Sequence, residues 1–194
     1  MTRQSQISAD PLAIDRLLQD ENGRPRKGPP PVHLWHPPFC GDLPMRILAN
    51  GEWHYQGSPI TRKPLVKLFS SILRREDDDY YLVTPVEKMR ITVDDAPFIA
   101  VTVERVEDAG VTYLRFTTLT DDVLIADAGH PLRVEYSKDG EPRPYIRVRD
   151  RLDALVHRNV FYQLVEWAEI RDVDGTQAYT VQSAGMPFVI APVA

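Results

Sequence analysis

Apolar and polar residues alternate in short runs over most of this chain, and turn residues separate the runs. Residues 45–48 and 52–55 flank Asn50-Gly51, a dipeptide that two-residue hairpin loops favour. Residues 132–136 and 145–148 flank Asp139-Gly140 in the same way. Further strands are predicted over 80–83, 89–93, 98–103, 111–118, 178–182 and 188–190. The pattern therefore predicts mostly antiparallel sheets with short connections.

Three other stretches predict helices, because their apolar residues recur three and four positions apart. The first begins at Asp10 and ends near Gly23, and the second is capped by Thr61. The apolar stripe of the second comprises Leu65, Leu68, Phe69 and Ile72. The third is capped by Asp150, with Asp153 near the positive end of its dipole. Its apolar residues are Leu152, Leu155 and Val156, and the helix is expected to continue through Phe161 and Leu164.

The order of hairpin, helix and strands occurs twice. Asn50-Gly51 corresponds to Asp139-Gly140, Leu65 to Leu152, and Phe98 to Phe188, at a nearly constant spacing of about 90 residues. We therefore predict an α+β fold of two similar subdomains that arose by internal duplication. Each is a small, mostly antiparallel sheet with a helix. The predicted boundaries are 1–41 for an N-terminal helix and arm, 42–117 for the first repeat and 118–194 for the second.

A proline-rich arm occupies residues 24–38. Prolines at this density exclude a helix interior or a central strand. Trp35 and Phe39 at the end of the arm favour packing against the rest of the protein. An arm of this composition can also bind an aromatic groove on another protein, which makes an adaptor function the alternative hypothesis.

Composition narrows the class of protein. Hydrophobic residues make up 43% and charged residues 26%, as in ordinary globular proteins. A net charge of −5 disfavours nucleic acid as a partner, because that binding requires a basic surface. No apolar run has the length of a signal peptide core or a bilayer span. The expectation is a cytoplasmic protein without a membrane span.

Catalytic and metal-binding motifs are weak. His33, His36 and Cys40 have ligand-type spacing, but a zinc site needs three or four converging ligands, and ordinary packing explains these residues better. A nearby histidine could activate the thiol of Cys40, but Phe39 and Gly41 beside it fit a buried small residue equally well. Paired aspartates at 77–79, 94–95 and 121–122 are typical of solvated turns, and glycine-rich phosphate loops are absent. No metal and no cofactor are predicted, and an unrecognised enzyme is the least favoured alternative.

One strand carries a distinctive charge pattern. In the segment Tyr145 to Asp150, Arg147 and Arg149 share one strand face, while Ile146 and Val148 share the other. Two guanidinium groups near a helix N-terminus suit an anion. An exposed strand face with surface ion pairs is the alternative interpretation. Lys88 in the first half, and Arg158 and Tyr162 along the predicted third helix, are further candidates for binding an anion.

Four segments resemble the bacterial domain-of-unknown-function family 1285. They are residues 35–42 (WHPPFCGD), 51–60 (GEWHYQGSPI), 84–88 (TPVEK) and 148–150 (VRD). The resemblance covers nearly the whole chain beyond the first helix. It implies a duplicated α+β core, a C-terminal half similar to pleckstrin-homology-like folds, a pocket between the halves for a nucleotide-like ligand, and a role in signalling. No activity is established for the family.

The combined hypothesis is a non-enzymatic binding or regulatory module for a small anionic ligand. The resemblance implies that this ligand is nucleotide-like and that it binds between the halves. The predicted ligand-binding residues are Trp35, Lys88, Arg147, Arg149, Arg158 and Tyr162. A protein partner is the expectation of the alternative adaptor hypothesis.

Overall fold

A computed structural model describes residues 30–193. The predicted helix from Asp10 and the first part of the proline-rich arm lie outside the described residues. Within the described part, the chain divides into two compact units. The N-terminal unit consists of residues 30–45 and 55–92, and the C-terminal unit of residues 46–54 and 93–193.

The N-terminal region forms a six-stranded sheet in the order β3-β2-β1-β6-β5-β4. After a 3₁₀ turn at Val32–Leu34, its elements are β1 (Phe39–Ile47), β2 (Trp53–Tyr55), β3 (Ser58–Pro59), α1 (Lys63–Ser71), β4 (Leu73–Glu76), β5 (Asp79–Val83) and β6 (Lys88–Val93). Alternate residues of β1 are buried, namely Leu43, Met45 and Ile47. One face of this strand therefore contributes to the core, as the period-2 pattern predicts.

Helix α1 starts one residue later than predicted. The carbonyl of Arg62 accepts bonds from the amides of Leu65 (3.0 Å) and Val66 (3.2 Å), so Arg62 is the N-cap. The predicted cap at Thr61 is wrong. Pro64 falls in the first turn of the helix, where a backbone amide hydrogen would have no partner within the helix. Within the predicted apolar stripe, Leu68 and Ile72 are buried, and Leu65 and Phe69 are half-buried.

The C-terminal unit contains a second six-stranded sheet, in the order β10-β11-β12-β7-β8-β9, and a three-stranded sheet, β13-β14-β15. The strands of the larger sheet are β7 (Phe98–Asp108), β8 (Val111–Thr118), β9 (Val123–Ile125), β10 (Leu132–Tyr136), β11 (Pro142–Arg149) and β12 (Leu152–Val156). Helix α2 (Arg158–Trp167) follows, and then β13 (Glu169–Val173), β14 (Thr176–Ser183) and β15 (Met186–Pro192). Leu164, Phe116 and Ile146 are fully buried in the core of this unit.

The predicted third helix is wrong in its first half, because residues 152–156 form strand β12. This strand pairs with β11 on one side and runs parallel to β7 on the other. A strand paired on both sides buries consecutive residues, and a short apolar run of this kind fits a helix or an interior strand equally well. Asp150 is a turn residue with φ 45° and is not the N-cap of a helix. Asp153 is a buried strand residue and does not lie in the first turn of a helix.

The helix itself begins after His157, whose ring nitrogen Nδ1 accepts a bond from the amide of Asn159. Its continuation through Phe161 and Leu164 was predicted correctly. The correspondence of Leu65 with Leu152, one of the three marks of the repeat, fails, since the first lies in a helix and the second in a strand. Both halves are nonetheless sheet domains, mostly strands with one helix each in the described part.

Candidate functional site

Two predicted ligand-binding residues, Trp35 and Lys88, belong to the N-terminal unit. Trp35 is half-buried, and its carbonyl oxygen accepts a bond of 2.7 Å from Arg74. The ammonium group of Lys88 lies 2.7 Å from a carboxylate oxygen of Glu76 and 4.9 Å above the ring of Tyr81. The hydrogen bond from Lys88 and that from Arg74 lower the pKa of Glu76, against the opposing effect of burial. Lys88 is thus engaged within the sheet.

Arg147 and Arg149 lie on β11 with the alternation that was predicted, since Ile146 and Val148 are buried. A register shift between the two arginines separates their partners. Arg147 Nε donates to Asp153 at 2.5 Å, and Arg149 donates to Asp122 at 3.3 Å.

The guanidinium of Arg149 lies 5.0 Å from the ring centroid of Phe98. Burial lowers the pKa of Arg149, although Asp122 and Asp150 act to raise it. The two arginines of the predicted anion site are therefore each engaged by a carboxylate in this structure.

The same region of the C-terminal unit holds two further paired arginines. Arg133 donates to Asp153 at 3.0 Å, and its Nη1 is buried without a hydrogen-bond partner among the described residues. Arg143 donates to Asp95 at 2.6 Å and to the hydroxyl of Tyr145 at 3.0 Å, and these bonds raise the pKa of Arg143. Each of these arginines faces an acidic group, so the cluster carries little excess charge for an external anion.

Arg158 and Tyr162, the remaining predicted residues, lie on α2. Arg158 is the first residue of the helix and is exposed, and 55% of the surface of Tyr162 is exposed. An exposed tyrosine on a helix is available for contact but lies outside the pocket described next.

An open pocket of about 190 Å³ lies within the C-terminal unit, between strands β7 and β8 of the large sheet and strands β13 and β14 of the small one. The end of α2 closes one side of it through Trp167. The other residues that line it are Arg105, Thr112, Leu114, Glu169, Arg171, Thr180, Val181 and Gln182. Buried Leu114 and Val181 contribute apolar surface, while the two arginines of the lining, Arg105 and Arg171, are exposed.

Arg105 is the distinctive group of this pocket. Its guanidinium lies 5.6 Å from the ring centroid of Trp167, a cation–π distance. Among the described residues it makes no ion pair, unlike Arg115 on the neighbouring strand, which pairs with Glu104. Arg171 pairs with Glu169 at 2.9 Å. Two guanidinium groups against one carboxylate leave the pocket with one positive charge in excess.

Polar groups with hydrogen-bonding capacity complete the lining. The hydroxyl of Thr180 donates to the carbonyl of Glu169 at 3.3 Å, and that of Thr112 donates to Glu107 at 2.5 Å. The side-chain amide of Gln182 also lines the pocket. The two hydroxyl protons are thus donated within the protein, whereas the amide of Gln182 beside an arginine suits the oxygens of a carboxylate or phosphate.

The local sequence gives no sign of this pocket. Arg105 precedes Val106-Glu107-Asp108, which is indistinguishable in sequence from an ordinary charged strand end. Trp167 ends a helix whose start was misplaced, and β13 was not predicted at all. The pocket depends on a tertiary contact between two sheets, which no local pattern encodes.

The candidate metal ligands and nucleophile do not converge. Cys40 is exposed, and its thiol donates to the carbonyl of Pro38 at 3.3 Å. His36 contacts the carbonyl of Leu34 at 3.2 Å. Across residues 30–193, no group of three or more metal-ligating side chains lies close enough together to hold an ion. Over the same residues, no helix has the length and apolarity that a membrane crossing requires.

Two family models together match residues 30–190 of the chain. Residues 30–96 match the N-terminal domain of a domain of unknown function, DUF1285, and residues 97–190 match the C-terminal domain of the DUF1285 proteins of unknown function. No curated protein matches the chain.

Two solved structures are similar to it. A DUF1285 family protein from Silicibacter pomeroyi DSS-3 is 47% identical, with a TM-score of 0.81, over 94% of each chain. A DUF1285 family protein from Shewanella baltica OS155 is 30% identical, with a TM-score of 0.51, over 64% of this chain and 91% of that one.

Proposed function

We propose a binding function for this chain, which belongs to the DUF1285 family. The C-terminal unit binds a small anionic group, a carboxylate or a phosphate, in the pocket that Arg105 and Trp167 line together. The observation that carries the proposal is the guanidinium of Arg105, which lies over an indole ring in a pocket and has no carboxylate partner among the described residues.

The chemistry of arginine supports an anion rather than a neutral ligand. A guanidinium that rests on an aromatic face keeps its N–H edge available, and this edge matches two oxygens of a carboxylate or phosphate. Charge-assisted hydrogen bonds of this kind are about twice as strong as neutral ones. The excess positive charge of the lining, to which the exposed Arg171 contributes, adds electrostatic attraction for an anion.

The size of the pocket limits the ligand. Sites for drug-sized molecules usually have volumes of about 300–1,000 Å³, whereas this one measures about 190 Å³. It accommodates an anionic head group or a single ring, not a complete nucleotide. If the ligand is nucleotide-like, as the family resemblance implies, the pocket holds only part of it.

The lining favours binding over catalysis. Its polar groups are guanidinium, hydroxyl and amide groups, and its carboxylate, Glu169, is exposed and paired with Arg171. A general base needs a carboxylate or imidazole with a perturbed environment, and the described residues that line the pocket supply none. We therefore propose a module that recognises an anion. The family resemblance further implies a regulatory role and a pleckstrin-homology-like C-terminal half.

The adaptor alternative is less favoured by the contacts of the arm. Val32 is buried, and Arg74 donates to the carbonyls of Val32 (3.3 Å) and Trp35 (2.7 Å). A free polyproline ligand keeps its backbone accessible to its receptor. The described end of the arm instead serves as part of the N-terminal unit.

A thermal-shift comparison tests the binding proposal. Phosphate, phenyl phosphate and benzoate are screened against the wild type, Arg105→Ala and Arg115→Ala, the last being an exposed arginine on β8 outside the pocket. A ligand at about 100 times its dissociation constant stabilises by about 2.7 kcal/mol, which corresponds to roughly 5–10 °C for a chain of this size. We expect the shift in the wild type and Arg115→Ala but not in Arg105→Ala. Equal shifts in all three proteins, or none in the wild type, would reject the proposed pocket.

A further inference from the structure

Strand β13 forms an open edge of the small sheet. The strand order is β13-β14-β15, and β13 pairs only with β14 among the described strands. Residues 169–172 are exposed and Val173 is half-buried. An exposed edge offers a row of unpaired N–H and C=O groups to another strand.

The hairpin geometry shows which residues offer these groups. Asp174-Gly175, with φ 53° and 82°, makes a two-residue turn that closes on the pair Val173 and Thr176. The pair that flanks such a turn exchanges both of its backbone hydrogen bonds, and the bonded pairs then alternate along an antiparallel ladder. Val173, Arg171 and Glu169 therefore bond to β14. The N–H and C=O groups of Ile170 and Asp172 point to the open edge.

A second copy of the chain matches this edge in one register. A two-fold axis perpendicular to the sheet and centred on Ile170 places Ile170 opposite the partner's Ile170. The amide and carbonyl of Ile170 then exchange bonds with those of its copy. Asp172 N–H faces the carbonyl of the partner's Ala168, a residue whose own amide is already bonded to Val165. We propose that the protein forms a two-fold dimer by antiparallel pairing of β13 with β13 in this register.

The side chains of the strand are self-complementary in the same register. Glu169 lies opposite the partner's Arg171, and Arg171 lies opposite the partner's Glu169, so both cross-strand pairs join opposite charges. On the other sheet face, Ile170 meets its copy next to Tyr179, which is its neighbour on β14. Ile170 is 51% exposed and Tyr179 is 39% exposed, so the pairing buries apolar surface.

The neighbouring registers are unfavourable. Centring the axis on Arg171 places two guanidinium groups opposite each other and Ile170 opposite a carboxylate. Centring it on Asp172 places two carboxylates opposite each other. Like charges directly across a strand pair are destabilising, so the sequence of β13 specifies the register centred on Ile170.

Dimerisation would bring a second chain to the anion pocket. Glu169 and Arg171 line that pocket as well as forming the proposed cross-strand pairs. The partner's Arg171 would then stand beside Glu169, the one carboxylate of the lining. The dimer does not depend on the binding proposal, because it follows from the backbone and side chains of β13 alone.

Charge reversal measured by sedimentation velocity tests the dimer. The wild type is expected to show a monomer–dimer equilibrium with a dissociation constant on the order of 10–100 µM, as for a small interface. Glu169→Arg alone and Arg171→Glu alone should each be monomeric. An equimolar mixture of the two variants should dimerise again, because every cross-strand pair then joins opposite charges. Glu104→Arg reverses a comparably exposed carboxylate on β7, away from the edge, and should leave the equilibrium unchanged.

The mixing experiment separates lost pairing from misfolding, since a misfolded variant would not recover its association on mixing. A wild type that stays monomeric at protein concentrations up to about 1 mM, well above the dissociation constant expected of a small interface, would overturn the proposal. So would a dimer that survives both single reversals, or a mixture that remains monomeric.

Discussion

The hydroxyl of Ser183 donates a hydrogen bond of 2.6 Å to the carbonyl oxygen of Ala126. The hydroxyl oxygen of Ser183 in turn accepts a bond of 2.9 Å from the amide of Leu114. Ser183 is fully buried, and its side chain thereby joins the end of β14 to β8 and to the segment after β9. A single hydroxyl satisfies two backbone groups that have no access to water.

Removing this hydroxyl should be costly. In Ser183→Ala both backbone groups lose a buried partner, and each unsatisfied group costs about 1–3 kcal/mol. We expect the free energy of unfolding in urea to fall by about 2–4 kcal/mol. Ser58→Ala, in the exposed strand β3, is the matched control and should change it by less than about 0.5 kcal/mol. A loss below 0.5 kcal/mol in Ser183→Ala would contradict the role assigned to the hydroxyl.

A second prediction concerns the buried carboxylate Asp153. Arg147 and Arg133 both donate to it, and only 8% of its side chain is exposed. Asp153→Asn retains the shape but leaves two guanidinium groups without their shared countercharge. Removing one partner of a buried ion pair costs about 3–5 kcal/mol. Because both arginines are partly exposed, we expect the free energy of unfolding to fall by an amount near the lower end of this range.

The control is Glu135→Gln, which removes the exposed partner of Arg133. Exposed ion pairs contribute at most about 1 kcal/mol. Denaturant titration gives the free energy of unfolding of both variants, and we expect the larger loss in Asp153→Asn. Equal effects in the two variants would show that the burial of Asp153 adds nothing.

A third prediction uses two glycines with similar backbones. Gly51 has φ +87° and Gly57 has φ +79°, so alanine is strained at both. A Cβ at Gly51 would lie 2.6 Å from Cγ1 of Ile99 and 3.0 Å from Cδ1 of Leu119, whereas at Gly57 no atom lies within 4 Å. Gly51→Ala should therefore be less stable than Gly57→Ala by about 1–3 kcal/mol, the usual cost of overpacking. Thermal unfolding measures this difference, and equal melting temperatures would refute the close approach.

A fourth prediction concerns pH. The bonds from Lys88 and Arg74 lower the pKa of Glu76 from its ordinary value of 4.5. A carboxyl group with a lowered pKa in the folded state contributes stability above its ordinary pKa, and loses this contribution as the pH falls through the folded value. Glu76→Gln should thus be less stable than the wild type at pH 7 by about 1 kcal/mol.

The difference between Glu76→Gln and the wild type should shrink as the pH falls below 4.5. Glu87→Gln, at an exposed turn, should match the wild type throughout. Urea titrations across this pH range provide the measurement. A Glu76→Gln difference that persists unchanged in acid would show that the charge of Glu76 is not responsible.

Local patterns predicted the strands and turns well, because hairpins have local causes. Asn50-Gly51 and Asp139-Gly140 require positive φ at glycine, and both lie at hairpin turns as expected. Strands β8 and β10 have the predicted bounds. Residues 152–156 could not be assigned from sequence, since their burial on both sides depends on β7, which is distant in the chain.

The candidate site was less predictable than the fold. The alternation around Arg147 was correct, yet its carboxylate partner Asp153 was expected in a helix. Arg105 and Trp167 meet only because α2 and β7 pack together, and their separation in sequence gives no sign of it. Ion-pair partners and pockets depend on tertiary packing. The distances between residues far apart in the chain cannot be obtained from a single sequence.

The indole N–H signals of the tryptophans provide the most direct test of the anion pocket. The chain has three tryptophans, and Trp167→Phe identifies the signal of the pocket residue in a ¹⁵N-edited spectrum. On titration with phenyl phosphate, we expect the Trp167 signal to shift saturably, the signal of buried Trp53 to stay in place, and the Trp167 shift to vanish in Arg105→Ala. A Trp167 signal that does not move, or that moves equally in Arg105→Ala, would contradict the account.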